Sequence, residues 1–329
     1  MNGFECPACG AANQHEALAY IDPFWADTEI FKGLSIRYCR ECGFGFSVPD
    51  IADEVVNAFY ARSYRGPGSP FQTDFQALAH PAGPDLRSLS QLLLARQFVD
   101  FRSGDCFVDI GPGGGGSFAS STAVFAKPDM CAIELSEGAA AAYQREYGAK
   151  TFARLEDLMD AGHRPRVILS SHSLEHFKLK DLSGLLATIR AALVPDGVFV
   201  AEVPHVDLRI HSEMRYGDSP HFLFFSREGL RKVLERAGFT VLFLEACAMP
   251  YDDWWSSVNG QSSEPPRSLR GMLKSCLGIL PKPVRYRLRQ MRSVLNGGFR
   301  LRDVGSENFS YGGNRTCLRI VVRPNQVLP

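Results

Sequence analysis

Three groups of residues in this sequence have types and spacings suited to chemistry. The first is a pair of Cys-x-x-Cys loops, Cys6-Pro7-Ala8-Cys9 and Cys39-Arg40-Glu41-Cys42, with 29 residues between them. Two such loops offer four thiolates to one tetrahedral ion in the zinc-ribbon arrangement. Four protein ligands leave no open position, so the Zn2+ expected at Cys6, Cys9, Cys39 and Cys42 is structural. Such an ion contributes about 10–16 kcal/mol of binding free energy, enough to organise a segment too small for its own core. A redox role for either pair is the alternative. The second group is the run Val108-Asp109-Ile110-Gly111-Pro112-Gly113-Gly114-Gly115-Gly116. It ends an apolar strand and opens a helix, so bare backbone can approach a ligand at the helix's positive end. Glu134 closes the next apolar run, where a carboxylate accepts both hydroxyls of a ribose. The third group is His172, His176, His205, His211 and His221. Histidine is the natural proton acceptor near neutral pH.

These groups need a frame. From Asp105 onward, short apolar runs alternate with helical segments. Strands are predicted at Cys106–Ile110, Met130–Leu135, Thr151–Ala153, Val167–Ser171, Gly197–Val203, Thr240–Cys247 and Cys317–Arg323. Glu137–Tyr147 and Leu182–Leu193 read as helices between them. This is the pattern of βαβ crossovers, so the expected fold is α/β, Rossmann-like, with a mainly parallel seven-stranded sheet. The histidines follow its fourth and fifth strands, where open α/β sheets bind ligands. Residues 1–50 form the cysteine module, read as separate and metal-nucleated. Residues 51–104 read as a helical connector, with helical spacing over Asp53–Arg62 and Ser88–Phe101 and a Gly/Pro-rich interruption at Gly66–Pro84. The Rossmann-like domain takes 105–248 and 315–326, and a helical insertion, 249–314, precedes the last strand. Cys106, Cys131, Cys247, Cys276 and Cys317 read as small core residues.

Composition narrows the field. With 329 residues, 45% of them hydrophobic and 22% charged, the chain suits one large domain with appendages. Its 36 basic residues balance 36 acidic ones, which argues against a nucleic-acid binder. The N-terminus lacks a basic and then apolar leader, and no stretch approaches about 18 apolar residues, so a cytoplasmic location is expected.

The glycine run alone fits two patterns: G-x-G-x-x-G through Gly111, Gly113 and Gly116, and G-x-G-x-G through Gly111, Gly113 and Gly115. Three further features distinguish them. Asp109 stands two residues before Gly111. The segment Ser170-Ser171-His172-Ser173-Leu174-Glu175-His176 contains Leu-Glu-His. Leu193-Val194-Pro195-Asp196-Gly197 matches a Leu-x-Pro-Gly-Gly turn, with Asp196 in place of its first Gly. With these, residues 86–248 and 315–324 resemble class I S-adenosylmethionine-dependent methyltransferases. The resemblance implies that Asp109, Gly111, Gly113 and Gly115 cradle the methionine and ribose end of the cofactor. It puts Glu134 on the ribose, Glu156 or Asp157 at the adenine, and Ser171 in the cofactor-binding set. A four-cysteine ribbon followed by Tyr60-x-x-x-Tyr64 resembles, more loosely, bacterial methyltransferases linked to sugar and polysaccharide modification, including nucleotide-sugar C-methyltransferases. Those C-methyltransferases carry a further C-terminal domain, and this chain has only the insertion and a final strand, which disfavours carbon methylation. Ser219-Pro220-His221-Phe222-Leu223-Phe224-Phe225-Ser226 resembles their His-x-x-x-Phe-Ser segment, which makes His221 the favoured catalytic base. His172 and Tyr216 are the alternatives, and His176 reads as structural.

The expected activity is in-line methyl transfer to a hydroxyl of a sugar, nucleotide sugar or glycan, with amine and carbon acceptors open. Two other functions compete. An NAD-dependent sugar oxidoreductase would use the same glycines but lacks a Tyr-x-x-x-Lys pair, and a non-catalytic scaffold would use the ribbon to recruit a partner. Within the insertion, Pro265–Arg302 carries ten Lys and Arg and no Asp or Glu, with two apolar stripes at helical spacing broken at Pro281 and Pro283. Tyr251, Trp254 and Trp255 lie just upstream. The stretch reads as a lid, as a peripheral contact with an anionic inner membrane face that presents a lipid-linked glycan, or as a clamp on an acceptor's diphosphate.

Overall fold

The computed structural model describes residues 5–12, 14–20, 29–64, 85–210, 220–248, 310–311 and 316–325. The chain begins as an antiparallel meander of β1 (His15–Ala19), β2 (Ser35–Cys39) and β3 (Gly45–Val48). Helix α1 (Asp53–Ala58) winds on into a π turn over Phe59–Ser63, and α2 (Leu86–Arg96) starts at Asp85, whose carboxylate accepts the Ser88 amide. The alternating region follows as β4 (Cys106–Ile110), α3 (Gly116–Val124), β5 (Asp129–Ile133), α4 (Glu137–Tyr147), β6 (Lys150–Phe152), α5 (Leu155–Asp160), β7 (Pro165–Ser171), α6 (Leu179–Ala192) and β8 (Val198–Pro204). Then come β9 (Leu223–Phe224), α7 (Arg227–Arg236), β10 (Phe239–Ala248), β11 (Ser310–Tyr311) and β12 (Cys317–Pro324).

Beyond the two-residue edge strand β11, the large sheet runs β10-β12-β8-β7-β4-β5-β6. Strands β4 to β8 pair in parallel, and β12 runs antiparallel to both its neighbours. The sheet is therefore the expected Rossmann-like one. Helices cover it, so β7 and β8 are apolar on both faces: Val167, Ile168, Leu169 and Val198 to Ala201 are fully buried. Helix α6 supplies Leu182, Leu186, Ile189 and Ala192 to this core, one stripe at helical spacing. The winding direction reverses between β4 and β7, whose carboxyl ends frame the crevice where such sheets take their ligands.

The structure departs from the sequence expectation in three places. Helix α2 stops at Arg96 rather than Phe101, because Phe101 leaves the helical path to stack on Phe125 with ring centroids 4.0 Å apart. The predicted Asp53–Arg62 helix changes to π winding at Phe59, which packs against Phe31. The cysteine module is also not separate. Strand β3 pairs with β9, Gly45 beside Phe224 and Phe46 beside Leu223, and Phe44 packs on Phe225. Three strands of four or five residues cannot bury Phe44 and Phe46 by themselves, so the module completes its core on the main body.

The chain divides into one compact unit, Met1–Cys247 with Tyr311–Pro329, and a second, Ala248–Ser310. The basic stretch 265–302, with Tyr251, Trp254 and Trp255, lies outside the described residues, as do His211 and Tyr216. Among the described residues no helix is long and apolar enough to cross a membrane.

Candidate active site

Strand β4 delivers Asp109 and Ile110 to the crevice and then turns sharply through Gly111, Gly113 and Gly115, with φ of 71°, 64° and 77°. Those left-handed conformations favour glycine, and they open the loop ahead of α3. The Gly111 amide donates to the Ile133 carbonyl at 3.0 Å, tying the loop to the end of β5, and the Tyr143 hydroxyl donates to the Gly113 carbonyl at 2.6 Å. Packing explains the next two glycines: a Cβ at Gly115 would lie 2.7 Å from the Tyr147 ring, and one at Gly116 would collide with Asp85. Asp109 is 2% exposed, and among the described residues its Oδ1 has no hydrogen-bond partner. Burial pushes its carboxyl up to about 7, against a downward pull from the Ser117 hydroxyl. A buried acceptor without a donor, beside a loop of bare backbone, fits a cofactor that brings its own cation. Glu134 follows β5, and its Oε1 accepts the Ser136 amide at 2.9 Å.

A second group of side chains meets this loop through Ser173. Its hydroxyl donates to the Ile110 carbonyl at 2.7 Å, and its Cβ would lie 3.2 Å from a Cβ at Gly111. From here the chain makes a 3-10 turn, Leu174–His176, that buries Glu175. Among the described residues neither Glu175 oxygen has a hydrogen-bond partner, although His172 Nδ1 stands 3.5 Å and His221 Nε2 3.9 Å from Oε1. Burial would raise the Glu175 carboxyl, but His172, His176 and His221 overcome it and hold it at about 2. The His176 and His221 rings lie 5.1 Å apart. The Tyr60 hydroxyl bonds His176 Nδ1 at 2.9 Å and donates to the Pro220 carbonyl at 3.0 Å, while Tyr64 lies edge-on to His176. His221 is carried down to about 3, first by burial and then by repulsion from His176, so its ring is neutral at physiological pH.

His172 differs from His221. Burial works to discharge it, but the Cys317 thiol, Glu175 and Glu202 prevail and hold its pKa well above the ordinary value. Its Nε2 lies 3.3 Å from Glu202 Oε1 and 3.5 Å from Cys317 Sγ. Glu202 is fully buried and is also bound by Arg319, whose Nε donates at 2.8 Å, and by Arg87 at 3.2 Å. A histidine held between two carboxylates favours its charged form, which has no lone pair for an acceptor's proton, so this geometry weighs against His172 as the base. Ser171 accepts a hydrogen bond from Gln91 at 2.8 Å. Glu156 and Asp157 lie in the first turn of α5 and are engaged locally, Glu156 with Thr188 and Asp157 with Arg154.

The four sulfurs of Cys6, Cys9, Cys39 and Cys42 lie within 4.8 Å of one another, with 3.7 Å between Cys6 and Cys42 and between Cys9 and Cys39. A tetrahedron with metal–sulfur bonds of about 2.3 Å has edges of about 3.8 Å, so the four thiols are set for a zinc-sized ion and are too far apart for disulfides. Each pair is followed by a glycine with positive φ, Gly10 and Gly43. The Ser226 hydroxyl accepts the Gly229 amide, capping α7, and donates to the Cys42 carbonyl. The Phe-Ser half of His-x-x-x-Phe-Ser is therefore the seam that docks the cysteine module.

The structure thus brings Asp109, Gly111, Gly113, Gly115 and Glu134 together at the carboxyl ends of β4 and β5, with Ser171, His172 and His221 on adjoining segments. Glu156 and Asp157 stand in the first turn of α5, after β6. Sequence reasoning missed Glu175 and Tyr60 as site groups, although Leu-Glu-His and Tyr-x-x-x-Tyr were in view. Residues 83–244 match the family described as "Methyltransferase domain". No curated protein matches the chain. Among solved structures the chain is similar to Burkholderia thailandensis 1,6-didemethyltoxoflavin-N1-methyltransferase, at 16% identity over 91% of this chain and 99% of that one, with a TM-score of 0.46. It is also similar to Streptomyces coelicolor geranyl diphosphate C-methyltransferase, at 14% identity over 84% and 100%, TM-score 0.46. Residues 83–244 form a methyltransferase domain, and the chain is an S-adenosylmethionine-dependent methyltransferase of the Rossmann-like class.

Proposed function

We propose that this enzyme methylates a hydroxyl of a sugar, nucleotide sugar or glycan, with His221 taking the proton, and that structural zinc sits at the four cysteines. The observation that carries this reading is the meeting of Tyr60, Tyr64 and His221 around Glu175 and His176 beside the glycine loop, because Tyr60, Tyr64 and His221 come from the two segments that resemble sugar-linked enzymes. The cofactor supplies an electrophilic methyl group on a sulfonium, and its leaving group departs neutral. Asp109 pairs with its ammonium group, the backbone of Gly111, Gly113 and Gly115 lies along it, and Glu134 accepts from the ribose hydroxyls. Ser171 borders the same crevice. An acceptor hydroxyl becomes strongly acidic only as its bond to the methyl group forms, so a weakly basic, neutral imidazole suffices if the proton is received in line. His221 is neutral, and Glu175 stands ready to pair with the imidazolium that results. Tyr60 and Tyr64 add ring faces and a hydroxyl of the kind that pack on pyranose C–H surfaces.

The test is transfer of labelled methyl groups to a panel of nucleotide sugars and extracted glycolipids, comparing wild type with His221→Ala. Turnover should fall at least a hundredfold with affinity for S-adenosylhomocysteine unchanged. Equal turnover would return His221 to a structural role, and labelling of no sugar-bearing acceptor by a cofactor-competent enzyme would remove the acceptor class.

A further inference from the structure

The amino ends of β4 and β5, opposite the glycine loop, gather another set of ligating side chains. Cys106 opens β4, Asp129 and Cys131 lie on β5, and His163 follows α5. One ligand atom from each lies within 4.8 Å of all the others. The two sulfurs are 3.9 Å apart, and His163 Nδ1 is 3.1 Å from Asp129 Oδ2. Both separations suit the edges of a zinc tetrahedron, about 3.8 Å between thiolates and about 3.3 Å between nitrogen and oxygen ligands. The parallel register produces the cluster: Cys106 lies beside Asp129, and Cys131 is two residues further along the same strand and so on the same face as Asp129. Both cysteines are buried, whereas His163 and Asp129 are partly open to solvent, which gives an ion a way in. The Phe152 ring lies edge-on to His163 at 5.7 Å and limits its rotation.

We propose that Cys106, Asp129, Cys131 and His163 bind a structural zinc ion, separate from the four-cysteine site. The ion replaces the two thiol protons, which pass to solvent, and no electron is transferred. Two thiolates and a carboxylate around a dication leave one negative charge, and Lys150 Nζ, 2.9 Å from Asp129 Oδ1, balances it from outside. Its position joins β4, β5 and the connection between α5 and β7. It thereby anchors the strands whose far ends carry Asp109 and Glu134.

The experiment uses the full chain purified without chelator and measures zinc per chain and its release to a chelator. It compares wild type, His163→Ala, Cys131→Ser and Cys42→Ser. Circular dichroism monitors folding, and the partly exposed His163→Ala covers the case in which Cys131→Ser fails to fold. His163→Ala should lose one zinc equivalent relative to wild type, or release it at least tenfold faster. Cobalt(II) loaded into Cys42→Ser should show the absorption of a mixed sulfur, nitrogen and oxygen site. Zinc content and release rate identical in wild type, His163→Ala and Cys131→Ser would overturn the proposal. Because the readout is a difference at His163 and Cys131, it is independent of whether the four-cysteine site is loaded.

Discussion

Asp109→Asn should make the cofactor-free enzyme more stable and a poorer binder, with both effects set by pH. The Asp109 carboxyl is buried, its Oδ1 has no hydrogen-bond partner among the described residues, and burial pushes it up from 3.8 to about 7. That displacement corresponds to about 4 kcal/mol between the two protonation states. The folded chain keeps this proton to about pH 7, while the unfolded chain releases it near pH 4. Between those values the folded state binds more protons, so Asp109's contribution to stability declines as pH rises from about 4 to about 7 and remains low above. Asparagine carries no charge at any of these values. Urea unfolding of the cofactor-free protein should therefore find wild type and variant similar near pH 4.5 and the variant ahead by about 2–4 kcal/mol at pH 8. Calorimetry with S-adenosylhomocysteine should show the opposite preference. Wild-type affinity should rise up to about tenfold per unit toward pH 7 as the carboxylate forms to meet the ligand's ammonium, and the slope should vanish in the variant. A variant no more stable than wild type at pH 8, or a stability gap that does not change with pH, would refute this account of Asp109.

Three further outcomes are expected. Cys42→Ser should remove one zinc equivalent, measured by metal analysis, and lower the thermal midpoint, since Cys42 is buried in the core that the module shares with the main body; an unchanged zinc content would reject the four-cysteine site. Ser226→Ala should cost about 1–2 kcal/mol in urea unfolding, because one hydroxyl caps α7 and ties Cys42. If residues 265–302 contact membranes, the protein should co-sediment with anionic and not neutral vesicles, and salt should release it; absence of binding to anionic vesicles at low salt leaves the lid and clamp readings.

Apart from the unforeseen edge strand β11, the large sheet was legible because most of its strands are short apolar runs that must be buried, and their bounds fall within two residues of expectation. Helix α4 lies where predicted, between Ser136, which caps it, and Gly148, which ends it in the left-handed region. The glycine loop was legible for a similar reason: its backbone conformation restricts the residues allowed. Glu175 was not, because its burial beside His172 and His221 depends on a chain segment some 45 residues away folding over it. Cys106 and Cys131 read as small core residues because their spacing carries no metal signature. Only the register of β4 on β5 brings them to one side of the sheet. The pairing of β3 with β9 left no periodic trace, since a two-residue strand has none.

That pairing has a consequence for how the polypeptide is made. The cysteine module leaves the ribosome ahead of the main body, and the partner for β3 is synthesised about 180 residues later, a delay on the order of 10 to 35 seconds at ribosomal speeds. Throughout that interval β3 is an open edge, with Phe44 and Phe46 uncovered beside it, the kind of surface that recruits other nascent chains. Early capture of zinc by the four cysteines would fix the meander in the register that β9 later needs. Zinc supply during translation would then bear on the yield of native enzyme as well as on the stability of the finished one.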